Sequence, residues 1–199
     1  MTNKSDKHEQ KMKNLKSKVD QKIAAATEER GEIIVITGNG KGKSSSAFGT
    51  ALRSLGHGYK VGIAQFIKGA QSTGEQMFLE KLPDVEYHAM CTGFTWETQD
   101  KAKDTEATLE LWKEAENMLA NPDLHLVVLD EITYVVSFGY LELQKLVDAL
   151  KARPVEQTVI ITGRGAGSTL KEMADTVSEV KEVKHAFQQG LKARKGVEY

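Results

Sequence analysis

Apolar runs alternate with amphipathic stretches from residue 31 to residue 199. The runs Glu32–Thr37, Lys60–Phe66, Val85–Met90, Leu124–Asp130 and Thr158–Thr162 predict strands, with a weaker one at Thr176–Glu182. The central runs are β-branched and nearly continuous in apolar character, the pattern of strands covered on both faces. Between them, helical periodicity predicts helices at Lys43–Leu55, Glu75–Lys81, Gln99–Leu119, Leu141–Lys151 and Ser168–Ala174. Strand alternating with helix predicts an α/β fold whose mostly parallel sheet is flanked by helices. The prolines Pro83, Pro122 and Pro154 each fall between elements.

Residues 1–30 break this pattern. Eight Lys/Arg against five Asp/Glu give them a net charge of +3, which leaves −4 for residues 31–199. Met12, Leu15, Val19 and Ile23 recur at spacings of three, four and four, one narrow stripe of a helix. Such a stretch is either a solvated, fraying tail or an arm that docks its stripe on something, since a polar helix gains stability mainly from packing. The chain thus divides into an arm, 1–30, and one domain, 31–199.

Composition narrows the class. A chain of 199 residues hides about 70 % of its unfolded surface on folding, so the domain needs no disulfide or metal staple. Lys+Arg number 27 against 28 Asp+Glu, so no global field draws the protein to nucleic acid or to acidic membranes. One cysteine, Cys91, excludes an internal disulfide and fits a reducing, cytoplasmic setting. No apolar run approaches a membrane span, and the start lacks a signal-peptide core.

The richest chemistry follows the first strand: Thr37-Gly38-Asn39-Gly40-Lys41-Gly42-Lys43-Ser44-Ser45. It resembles a P-loop, in which a glycine-rich turn and a helix N-terminus aim N–H groups at phosphate oxygens. Lys43 offers an ammonium to the phosphates and Ser44 a hydroxyl to Mg²⁺. Thr37 stands where the standard spacing has the first glycine, and Gly38 comes one residue late. Strand, three glycines, Gly-Lys-Ser and helix together predict nucleotide binding over an inert turn.

The run Leu124–Asp130 ends in Asp130-Glu131, carboxylates at the strand end where ligands bind in open α/β sheets. Either fits Mg²⁺, and a Glu there also suits an ATP hydrolase, where it orients water. Arg164, in Gly163-Arg164-Gly165 after the next strand, is either a phosphate clamp or an ordinary surface arginine. Phe94 and Trp96, in Cys91-Thr92-Gly93-Phe94-Thr95-Trp96, either plug the core or cover a flat apolar ligand.

Together these segments resemble the ATP:corrinoid adenosyltransferases of the CobA/BtuR family. The matching stretches are Thr37–Ser44, Gln65–Gly69, Thr92–Thr98, Val127–Tyr134, Ala152–Pro154, Gln157–Gly165, Ala174–Glu179 and Val183–Phe187. The resemblance implies a P-loop NTPase fold of RecA-like type. It implies transfer of the 5′-deoxyadenosyl group of ATP to the Co(I) centre of a corrinoid, with release of triphosphate. Gly38, Asn39, Gly40, Lys41, Gly42, Lys43, Ser44 and Ser45 would hold the triphosphate, with Arg164 at the site's edge. Ser44 and Glu131, with Asp130 as neighbour or alternative, would hold Mg²⁺ or Mn²⁺. Phe94 and Trp96 would wall the corrinoid pocket and displace cobalt's lower nitrogen ligand. A homodimer, a flavodoxin-like reductase as transient partner, and an arm covering the site are implied too. The rival readings are a RecA-like ATP hydrolase and a non-catalytic ATP-dependent interaction module.

Overall fold

The computed structural model describes residues 4–67, 72–90 and 101–199. Its elements in order are α1 (Lys4–Ala25), β1 (Ile33–Thr37), α2 (Lys43–Gly56), β2 (Lys60–Gln65), α3 (Gly74–Leu79), β3 (Val85–Ala89) and α4 (Lys101–Ala120). Then come β4 (Leu124–Asp130), α5 (Ile132–Ser137), α6 (Leu143–Ala152), β5 (Thr158–Thr162), α7 (Ser168–Met173), β6 (Thr176–Glu179) and a 3₁₀ turn at Phe187–Gln189. The strands form one six-stranded sheet in the order β3-β2-β4-β5-β1-β6, every pair parallel. The predicted mostly parallel α/β architecture is therefore present.

The continuous apolar strands have the cause the pattern suggested. Successive side chains of a strand point to opposite faces. In β4, Val127 and Leu129 join a cluster with Trp112 and Met118 of α4 and Leu146 of α6. Leu126 and Val128 face the other way and pack with Ala47, Phe48 and Ala51 of α2. A strand with both faces covered has few polar positions, and in β4 the one before its carboxyl end is the half-buried His125, stacked on Tyr59. Only at its carboxyl end, beyond the cover, does chemistry appear.

The edge strand β6 is exposed throughout and ends at Glu179, short of the predicted Glu182. It is anchored from below. Arg30 donates to Asp175 Oδ2 (2.9 Å) and Oδ1 (2.5 Å), and the Ile33 N–H adds a bond to Oδ2 (2.9 Å). The hydrogen bonds from Arg30, then that from Ile33, hold the Asp175 carboxyl down at about 2, from an ordinary 3.8. A depressed acid stabilises the fold above its unfolded pKa, and that stability is lost as pH falls through the folded value. Asp175→Ala should therefore lower the melting temperature near neutral pH, and the deficit should shrink as pH approaches about 2. A deficit independent of pH would assign the effect to packing.

The arm is helical, as its period predicts, and every residue from 6 to 30 is exposed. Met12, Leu15, Val19 and Ile23 remain 45–66 % exposed along one stripe. No helix among the described residues is long and apolar enough to cross a membrane.

Candidate functional site

Three strand ends meet at one edge of the sheet because β5 lies between β1 and β4. The loop Gly38–Gly42 leaves β1, Asp130-Glu131 ends β4, and Gly163-Arg164 follows β5. Topology thus collects the phosphate loop, the acidic pair and the arginine turn that lie far apart in sequence.

The loop is braced from its far side. The Val180 N–H donates to the Thr37 carbonyl and the Gly40 N–H to the Val180 carbonyl, both at 2.8 Å. Thr37, in the place of the expected glycine, has its own task. Its buried hydroxyl accepts from the Ala166 N–H at 3.2 Å, tying the end of β1 to the turn after β5. The loop's first sharp bend then falls on Gly38, at φ 102°.

Lys43 begins α2 and is only 6 % exposed, its Nζ donating to the Gly40 carbonyl at 2.9 Å. Burial lowers its pKa; the charge of Arg164 adds to this, against the pull of Glu131 and Asp130. Asp130, 1 % exposed, is gripped on both oxygens. The Thr162 hydroxyl donates to Oδ1 at 2.6 Å and Gln65 Nε2 to Oδ2 at 2.9 Å, while Ser44 adds a side-chain hydrogen bond. Burial nonetheless raises the Asp130 pKa, those bonds and Lys43 opposing it.

Glu131 differs from its neighbour. It takes a left-handed backbone, φ 57°, unusual for a side chain of its size. Its N–H donates to Thr162 Oγ1 at 2.9 Å, so one hydroxyl fixes both acids: it accepts from Glu131 and donates to Asp130. Glu131 Oε2 is buried with no hydrogen-bond partner among the described residues. Burial, then the charge of Asp130, pushes its carboxyl up to about 7, with Lys43 and Arg164 pulling the other way.

Lys41, Gly42, Lys43, Ser44, Ser45 and Glu131 line a cleft of about 480 Å³ with Gln65, Thr73, Glu75 and Gly196–Tyr199. A depression of about 640 Å³ beside Trp112 is larger but lies between α4 and α6, away from the strand ends. Gly38, Asn39 and Gly40 form the rise of the loop outside the cleft lining, and Asp130 sits beneath it. Arg164 is exposed and outside that lining, though close enough to act on Lys43, Glu131 and Tyr134 through its charge. Phe94 and Trp96 lie outside the described residues.

Three contributors carry no signal of their own in the sequence. Gln65 is oriented by the Tyr87 hydroxyl, which donates to its Oε1 at 3.2 Å. Thr162 is a buried hinge for both acids, and Gly196–Tyr199 close one side of the cleft. The first two lie in motifs matched to the family, without a role attached to either.

Residues 29–199 match the family described as ATP:corrinoid adenosyltransferase BtuR/CobO/CobP. A Pseudomonas aeruginosa protein named corrinoid adenosyltransferase is 53% identical over 197 residues, covering 98% of this chain and 97% of its own. One of the same name from Escherichia coli is 53% identical over 194 residues, 98% of each chain. The Salmonella typhimurium corrinoid adenosyltransferase CobA is 52% identical over the same length.

Proposed function

The chain belongs to the ATP:corrinoid adenosyltransferase family, and from that membership we propose how its residues move the 5′-deoxyadenosyl group of ATP to the Co(I) centre of a corrinoid. The observation that carries the assignment of roles is the cleft itself. A phosphate-type loop, a buried lysine and a carboxylate oxygen with no hydrogen-bond partner among the described residues converge there.

In the reaction the cobalt electron pair forms the bond to C5′, the C5′–O bond breaks, and its electrons leave with triphosphate. The nucleophile carries no proton, so no general base is needed. What the protein must supply is alignment and a counter-charge for the leaving group. Lys41–Ser45 cradle the triphosphate, with the start of α2 aimed at it, and Gly38–Gly40 hold the loop in shape behind them. Lys43, already partly desolvated, lies where charge grows as the bond breaks. Arg164 adds positive potential from the rim.

The donor set fits a magnesium or manganese ion. Glu131 Oε2 has no hydrogen-bond partner among the described residues, and Ser44 lies in the same lining. Ser44 and Glu131 hold it, and Asp130, engaged on both oxygens, orients Ser44. The ion, when bound, neutralises triphosphate charge. Placement of β5 between the loop strand and the acidic strand supports a P-loop NTPase fold of RecA-like type. Phe94 and Trp96 wall the corrinoid, and the arm of residues 1–30 covers the site in a homodimer. A flavodoxin-like reductase supplies electrons, in the cytoplasm.

The rival hydrolase and interaction-module readings share the loop and the acids but not the near-full-length identity to adenosyltransferases. Incubation with ATP, Mg²⁺ and chemically reduced cobalamin separates them. Triphosphate in step with a new cobalt–carbon absorbance is the expected result. Orthophosphate would restore the hydrolase, and absence of turnover would restore the module.

A further inference from the structure

The cleft has a side that the phosphate loop does not provide. Residues 194–199 fold over the loop, closed on themselves by three hydrogen bonds. The Val197 and Glu198 N–H groups donate to the Arg194 carbonyl at 3.1 and 2.8 Å, and the Gly196 N–H to the Tyr199 carbonyl at 2.7 Å. The Glu198 carboxylate pairs with the ammonium of Lys41, inside the phosphate loop. That pair is 49 % and 30 % exposed at its two side chains, too open to add much stability alone. Its consequence is positional: it fixes this segment against the loop across 157 residues of sequence.

The lining is chemically uneven. Its apolar side chains are Phe48, Val197 and Tyr199, and Phe48 is committed to the core at 3 % exposure. Val197 and Tyr199 are 65 % and 37 % exposed, so among the described residues they are the lining's apolar surface open to a ligand. A nucleoside triphosphate is uneven in the same way. Its phosphates call for N–H groups and cations, and its base and sugar call for apolar surface with an aromatic face.

We propose that residues 194–199 are the nucleoside-recognition wall of this site. Val197 and Tyr199 contact the base and sugar, and Glu198 is a positioning residue that holds the wall to the loop through Lys41. The proposal rests on the reading of the loop as the triphosphate site, and extends it to the other half of the same substrate. Displacement at C5′ is sensitive to the direction the sugar presents. A wall pinned to the phosphate loop fixes base and phosphates relative to one another, and so sets that direction.

The test uses the full chain with chemically reduced cobalamin. It reads KM for ATP and the inhibition constant of inorganic tripolyphosphate, which has phosphates and no nucleoside. Tyr199→Ala should raise KM for ATP about tenfold, and Val197→Ser about threefold, with tripolyphosphate inhibition held within about twofold. Glu198→Gln should raise KM for ATP about fivefold, and Glu198→Asp should recover most of that loss. Val197→Ser keeps the test open should Tyr199→Ala melt early.

Parallel loss of ATP and tripolyphosphate binding would overturn the proposal, because the segment would then merely support the loop. Tighter binding of both in Glu198→Gln would overturn it too, by making the carboxylate an anion that competes with the phosphates. Unchanged constants in all four variants would do the same. Wild-type protein that tripolyphosphate fails to inhibit would instead overturn the phosphate-loop assignment, a different failure.

Discussion

Lys43→Met should lower adenosyl transfer by about three orders of magnitude while leaving the ligand-free protein at least as stable as the wild type. The two effects come from one position. Lys43 is 6 % exposed and its ammonium has a carbonyl partner, Gly40, at 2.9 Å. A buried charge so thinly solvated costs folding free energy, and burial is the main reason its pKa falls. Met keeps the aliphatic stem and removes the charge. With ATP bound the ledger reverses: a desolvated ammonium beside a departing triphosphate acts at low dielectric, whereas Lys41, the other ammonium among the described lining residues, is half exposed and paired with Glu198.

The stability gain should depend on pH, and its sign follows from Glu131. That carboxyl already stands at about 7, with Lys43 holding it down. Without Lys43 it rises further. An acid raised in the folded state contributes stability that is full below its unfolded pKa and is lost as pH rises through the folded value. The melting-temperature advantage of Lys43→Met, measured without divalent cations, should thus be largest below about pH 6 and shrink above about pH 8. Retained wild-type turnover would remove phosphate from this loop altogether.

Legibility in the sequence followed how local each signal was. β4 and β5 are readable to the residue because burial on both faces leaves a nearly continuous apolar run. The apolar pattern does not separate helix α5 from β4. Ile132–Ser137 continues the apolar character of β4, and only the left-handed turn at Glu131 separates the two. Helix α6 begins at Leu143 and not at Leu141, because Leu141 is a buried anchor ahead of the cap. In the site, Lys43, Ser44, Asp130 and Glu131 are carried by contiguous motifs. The roles of Thr162 and Gln65 are carried by contacts 32 and 65 positions apart, which strand order alone creates. Thr37 departs from the standard spacing as the family's shortened loop does, and only its bond from the Ala166 N–H shows what its hydroxyl is for.

Gly38→Ala should unfold more easily than Gly42→Ala by about 2 kcal/mol, although both glycines occupy left-handed backbone in the same loop. Their φ angles are 102° and 113°, so the conformational penalty on adding a Cβ is similar, about 1–2 kcal/mol for each. Their surroundings differ. A Cβ on Gly38 would lie 2.4 Å from the Val180 carbonyl oxygen and 3.0 Å from its nitrogen, while one on Gly42 meets nothing within 4 Å. The obstructing atoms are backbone, and they belong to the segment that braces the loop through Thr37 and Gly40. Relief of that clash has to part the loop from its brace, so Gly38→Ala should also lose tripolyphosphate binding by about a hundredfold or more. Gly42→Ala disturbs only the entry to α2, and should weaken binding about tenfold with a small drop in melting temperature. Urea unfolding and tripolyphosphate titration of both variants read the two quantities separately. Equal losses in the pair would mean that backbone strain alone sets the loop, and that the segment after β6 does not hold it in its phosphate-binding shape.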